Sequence, residues 1–129
     1  MSNLIRRIRV FFHHWVVVGF ENHTDRIAVR HLFKLAELND DWGLLDLGVR
    51  YEDGHGVEKD IEKAFDCYTR SAELQGGVFQ YAAFNLARLY HAGLSVPACE
   101  DTARYWYLQS AQEGNKNAKE ALDQLGREI

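Results

Sequence analysis

Apolar and small residues recur along much of this chain at three- and four-residue intervals, the period of an α-helix. Leu44, Leu47, Gly48 and Tyr51 fall at i, i+3, i+4 and i+7, which places them on one helical face. Gly54 follows, a residue suited to the left-handed position just past a helix end. Asp60 can then cap a second helix from Ile61 onward, with Ala64, Phe65, Tyr68 and Ala72 as its inward stripe. Ala103, Tyr107 and Ala111 repeat that stripe further on, and Asn117 with Glu120 has capping-box spacing and predicts the start of a last helix. Upstream, Arg26 to Leu38 is apolar at Ile27, Leu32, Phe33, Leu35, Ala36 and Leu38 and predicts one more helix.

The first twenty residues carry a different pattern. Leu4, Ile5, Ile8, Phe11, Phe12, Trp15 and Val16 share one helical face, and Arg6, Arg7, Arg9, His13 and His14 lie opposite. The arginines ahead of an apolar run resemble a secretory leader. However, the histidines interrupt the run, no small-residue cleavage site follows, and the stretch is too short for the ~20 apolar residues of a membrane span. It reads as the first helix of the fold, with the apolar face turned to the core. Val10, Val17 and Phe20 fall on the polar side, so either the helix is covered on both faces or it shows a small apolar patch to a partner. A basic amphipathic helix can also lie on a membrane surface, but burial is the preferred reading.

Shifting the chain by 39 residues superposes eight identical pairs: Leu47/Leu86, Tyr51/Tyr90, Gly54/Gly93, Val57/Val96, Ala64/Ala103, Tyr68/Tyr107, Ser71/Ser110 and Ala72/Ala111. Chance would supply about two. A further shift brings Leu125 under Leu86 and Gly126 under Gly48's Ala87 equivalent, a partial third unit. Each unit reads as two helices, with small residues leaving room for the tyrosine rings of the neighbour. The expected organisation is an N-terminal helix pair over 1–38, repeats over 39–77 and 78–116, and a capping helix over 117–129. About seven helices in an all-α solenoid follow.

The run Leu47-Gly48-x-x-Tyr51-x-x-Gly54-x-Gly56-Val57-x-x-Asp60-x-x-Lys63-Ala64-x-x-x-Tyr68-x-x-Ser71-Ala72 resembles the Sel1-like repeat, a relative of the tetratricopeptide repeat. The second copy keeps Leu86-Ala87, Tyr90, Gly93, Val96, Ala103, Trp106-Tyr107 and Ser110-Ala111. It departs at Ser95, Cys99 and Thr102, which leaves the geometry of its loop open. The resemblance implies a right-handed α/α superhelix that acts as an adaptor or scaffold for other proteins. It also brings in two alternatives: short bacterial members that neutralise secreted toxins, and cysteine-rich members that bind penicillin-type ligands.

Composition narrows these. Nineteen Asp and Glu against fifteen Lys and Arg give a net charge of −4, which argues against a general nucleic-acid binder and suits a toxin partner with a basic site. Two cysteines, Cys67 and Cys99, are too few for a disulfide framework, and their predicted positions are too far apart to bridge. Two free thiols and a reducing, cytoplasmic compartment are expected. No nucleotide, zinc or serine-hydrolase motif is present, and the absence of Ser-x-x-Lys removes the usual nucleophile of β-lactam chemistry. Gly54-His55-Gly56 follows a helix and reads as the repeat's own turn. The six histidines lack metal-ligand spacing. The chain is thus expected to be non-enzymatic, with no cofactor, no metal and no membrane span.

Stacked helix pairs leave a hollow face lined by the first helix of each pair. With Leu47 and Tyr51 inward, the positions pointing away are Asp46, Val49 and Asp53, then Asn85, Arg88 and Ala92, then Gln124 and Arg127. These eight form the expected protein-binding ladder, flanked by Leu45 and Phe84, which read as core. Arg88, Asp46 and Asp53 are the expected polar contacts. On this reading Arg88→Glu weakens partner binding and leaves thermal stability nearly unchanged.

Overall fold

A computed structural model describes the backbone of residues 3–19 and 25–127 and the side chains of 3–13 and 26–127. Among these residues the chain forms seven helices and no strand: α1 (Asn3–Gly19), α2 (Asp25–Glu37), α3 (Asp41–Asp53), α4 (Ile61–Glu73), α5 (Phe79–Ala92), α6 (Glu100–Gln112) and α7 (Lys116–Arg127). Consecutive helices pack on one another, and the interior is three successive layers. Leu32, Leu35, Leu44, Leu47 and Cys67 fill the first; Ala64, Tyr68, Ala72, Ala82, Leu86 and Leu89 the second; Ala87, Ala103, Tyr107, Ala111, Ala118 and Leu125 the third.

Hydrogen bonds carry the 39-residue register as firmly as the apolar stripes do. The Ser71 hydroxyl donates to the Asp41 carbonyl at 2.8 Å, and Ser110 donates to Gln80 at 2.5 Å, two residues related by the same shift. The carbonyls of Tyr51 and Tyr90 likewise receive the N–H of Asp60 and Cys99. The two tyrosines therefore occupy equivalent seats. Asp40 caps α3 through the Gly43 N–H and Asp60 caps α4 through the Lys63 N–H. Gly54 and Gly93 end α3 and α5 in the left-handed region. Ser95 adopts φ +68° where Gly56 has φ +79°, so the second loop keeps the shape of the first although a side chain replaces glycine.

Close approach explains two glycines inside α3. A Cβ on Gly43 would collide with the Leu35 Cβ, and one on Gly48 would lie 2.6 Å from the Tyr68 ring. Ala87 takes the place of Gly48 in the second unit and is buried against the layer of Tyr107.

Three expectations are corrected. The cap of α7 is Asn115, whose side chain accepts from the Ala118 N–H at 3.1 Å, because the helix already begins at Lys116; Asn117 lies inside it and is exposed. On α2, Ile27 and Phe33 are exposed, while Val29 joins Leu32, Leu35 and Ala36 inside. The largest reversal is α1. Leu4, Ile8, Phe11 and Phe12 are 64, 59, 74 and 53% exposed, and Val10, expected on the polar side, packs against the first layer. The reason lies at the end of α2, where the Leu38 and Asn39 carbonyls have no helical partner. Arg6 donates to Leu38 at 2.7 and 3.1 Å and to Asn39 at 3.4 Å, and this anchor turns the side of α1 that carries Arg6, Val10 and His13 toward α2. Trp15, Val16, Val17 and Phe20 lie outside the described side chains.

The same side brings His13 within 2.7 Å of His31, Nδ1 to Nδ1, a contact in which one ring must donate and the other accept. Burial, then the neighbouring His31, Lys34 and Arg9, lowers the His13 pKa below its ordinary 6.5. The unfolded chain therefore takes up this proton at a higher pH than the folded chain, and stability falls as pH drops through the ordinary histidine range. Protease nicking within α1 is expected to accelerate between pH 7.5 and 5.5, with His13→Gln flattening the dependence. A His13 that titrates at or above 6.5 by NMR would contradict the prediction.

Candidate protein-binding face

The helical period sorts α3 into two sides. Gly43, Leu44, Leu47 and Gly48 are buried, and Val49 and Asp53 are exposed with Asp46 beside them, half-buried. On α5, Ala82, Ala83, Leu86, Ala87 and Leu89 are buried; Ala92 is exposed and Asn85 and Arg88 are half-buried. Gln124 and Arg127 are exposed on α7. Leu45 and Phe84 pack against the second and third layers, Phe84 with its ring 5.8 Å from Tyr107.

Two aromatic residues on these stripes were missed. Trp42 stands four residues before Asp46, and Tyr81 stands at the same place before Asn85. Spacing of i, i+4, i+7 and i+11 puts Trp42 with Asp46, Val49 and Asp53, and Tyr81 with Asn85, Arg88 and Ala92. Tyr81 is 51% exposed, and Trp42 is partly buried against the first layer. The signal was present, since the 39-residue shift carries Trp42 onto Tyr81. The ladder read from Leu47 and Tyr51 begins one turn further along each helix and so leaves both out.

The polar residues of the face are tied to one another. Arg88 donates to both carboxylate oxygens of Glu52 at 2.9 Å, and the buried Tyr68 hydroxyl donates to the same carboxylate at 2.7 Å. Asn85 accepts from Arg88 at 3.2 and 3.3 Å. Burial, then the Glu52 carboxylate, pushes Tyr68 ionisation well above the ordinary tyrosine range, so its hydroxyl remains the donor at neutral pH. Arg88, expected as a free recognition cation, is thus the link that joins α5 to α3. Asp46 lies 3.8 Å from Arg50, and burial raises its pKa, with Arg50 and His55 opposing.

The remaining chemistry-bearing groups stand apart. Among the described residues no three His, Cys, Asp or Glu side chains converge as metal ligands. Gly54-His55-Gly56 is the turn between α3 and α4. Both cysteines are free. Burial pushes the Cys67 thiol up to about 11. Cys99 sits at the start of α6 with Sγ 3.1 Å from the Thr102 hydroxyl, a bond that lowers its pKa. Iodoacetamide at pH 8 is expected to alkylate Cys99 in the native protein and Cys67 only after denaturation. Equal native rates, read by intact-mass spectrometry, would refute that ranking.

Paired helices in fixed register, serine bonds repeated at 39 residues and glycine-ended first helices define an α/α repeat array. The chain belongs to the Sel1 repeat family, whose pattern matches residues 43–75 and 80–115. It is similar to a Sel1 repeat protein from Oxalobacter formigenes, with 22% identity and TM-score 0.76 over 91% of this chain and 47% of that one. It is also similar to c5321, a protective antigen of uropathogenic Escherichia coli with an SLR fold, at 26% identity and TM-score 0.80 over 93% and 25%. Helicobacter pylori cysteine rich protein B aligns at 23% identity and TM-score 0.74 over 91% and 88%. The chain thus spans about half of the Oxalobacter protein and a quarter of the Escherichia protein. Sel1 repeat proteins generally mediate protein–protein interactions, and the fold is generally non-enzymatic.

Proposed function

We propose that this protein is an adaptor that holds a segment of another protein against the exposed stripes of α3, α5 and α7. The observation that supports it is the recurrence of one row of exposed and half-buried side chains in one register: Trp42, Asp46, Val49 and Asp53, then Tyr81, Asn85, Arg88 and Ala92, then Gln124 and Arg127. Large aromatic side chains supply contact area at little entropic cost, and Trp and Tyr dominate the energetics of protein interfaces. The Glu52–Arg88–Asn85 set pre-organises the middle of the face, and Asp46 and Asp53 favour a basic residue on the partner.

A photo-crosslinking residue placed at Val49 or Tyr81 in cells is expected to trap a discrete protein adduct, whereas the same residue at Glu73 or Glu113, at the far ends of α4 and α6, is not. Tyr81→Ala is expected to reduce capture at Val49 by ~10-fold or more while leaving the melting temperature in place. Adducts of equal yield from all four positions, or none from Val49 and Tyr81, would reject this face.

A further inference from the structure

Among the described residues the apolar face of α1 is largely uncovered, its one ring contact with another helix being that of Phe12 with His31 at 6.2 Å. Its packed side is set by Arg6, Val10 and His13, which contact the end of α2, the first layer and His31. At 100° per residue, the opposite direction is centred on Ile8, with Leu4 and Phe11 to one side and Ile5 and Phe12 to the other. All five are among the exposed large hydrophobic residues. Arg7 and Arg9, also exposed, stand on the two flanks of this apolar strip.

Charge indicates the occupant. Residues 1–20 hold three arginines and no carboxylate, whereas residues 21–129 hold twelve Lys and Arg against nineteen Asp and Glu. The segment that shows its apolar face thus carries a net charge of +3, and the remainder of the chain −7. A helix with aliphatic and phenylalanine side chains on one face and arginines along its edges matches an anionic bilayer surface, where the rings enter the acyl boundary and the guanidiniums reach the headgroups. A second copy fits less well, because a two-fold contact through the strip would bring each arginine-flanked edge against another of the same sign. No helix among the described residues is long and apolar enough to cross a membrane, so the contact is with the surface.

We propose that α1 is an interfacial helix that docks the protein on anionic membranes through Leu4, Ile5, Ile8, Phe11 and Phe12. The repeat stripes belong to other helices, so a docked protein keeps them available, and this inference stands independently of the adaptor reading.

The test is co-sedimentation of the full chain with phosphatidylcholine vesicles and with vesicles containing about a third phosphatidylglycerol. Binding is expected with the anionic vesicles only, and to weaken as salt is raised. Ile8→Gln with Phe11→Gln keeps the charge and removes the apolar insertion; Arg7→Gln with Arg9→Gln does the reverse. Each pair is expected to lower partitioning at least ~10-fold without a change in melting temperature, since the substituted side chains are exposed. No binding to anionic vesicles, binding that both pairs leave intact, or a dimer in solution that Ile8→Gln with Phe11→Gln abolishes while vesicles capture nothing would each overturn the proposal.

Discussion

Truncating Tyr68 to alanine is expected to destabilise the protein by about 3–5 kcal/mol, the range for removing a large buried ring. The ring is fully buried in the layer that joins the two repeats, among Ala64, Ala72, Ala82, Leu86 and Leu89. It also lies so close to α3 that Gly48 has no room for a Cβ, which leaves little slack for the helices to close over the hole. Two losses combine, and Tyr68→Phe separates them. That variant keeps the packing and gives up the 2.7 Å bond to Glu52. Because Arg88 still holds the carboxylate, its cost is expected near the low end for a charged hydrogen bond, ~1–2 kcal/mol. Urea denaturation of the three proteins measures both terms. A Tyr68→Ala variant that loses no more than ~1 kcal/mol, the size of an ordinary substitution, would show that the ring does not hold the repeats together.

Reversing the charge at Arg88 is the second large effect, and it falls on stability as well as binding. The introduced carboxylate would face that of Glu52, which is mostly buried and would keep only the Tyr68 hydroxyl as a donor among the bonds described. Removing one partner of a buried pair costs ~3–5 kcal/mol and an exposed pair ~0–1. With Arg88 over a third exposed, a loss on the order of 2 kcal/mol is expected. Adding Glu52→Arg to Arg88→Glu restores an ion pair in the opposite sense and should recover about half of it. Recovery stays incomplete because the Tyr68 hydroxyl would then meet a cation that cannot accept its proton. A double-mutant cycle with no coupling would mean that the pair does not hold α3 to α5. This expectation replaces the one drawn from spacing alone, in which Arg88 stood free and its reversal left stability nearly unchanged.

The difference between those two readings of Arg88 shows how far the chain's pattern carries. Its place on the outward side of α5 followed from the helical period and is where the structure has it. That a glutamate one helix away would claim it did not follow, because Glu52 and Arg88 are 36 residues apart and their meeting depends on how two helices lie side by side. Cys67 and Cys99 were legible as free thiols, since a helix offset of seven residues already exceeds the reach of a disulfide. Their unequal ionisation was not, for it comes from burial in one case and from the Thr102 hydroxyl in the other. Trp42 and Tyr81 are readable from the 39-residue shift, one turn ahead of the ladder that Leu47 and Tyr51 define.

The apolar stripes of the repeat helices, the glycine ends of α3 and α5 and the Asp60 cap were all decided within a few residues, by side-chain size at i, i+3 and i+4 and by backbone freedom at Gly54 and Gly93, and their recurrence at 39 residues made the repeat legible. The orientation of α1 was decided elsewhere. An amphipathic helix announces two faces but not which one finds a neighbour, and here the carbonyls after α2 bound Arg6 and drew the side with Arg6, Val10 and His13 toward α2. Burial of an apolar stripe needs a second surface of matching shape, and only the folded chain supplies or withholds it.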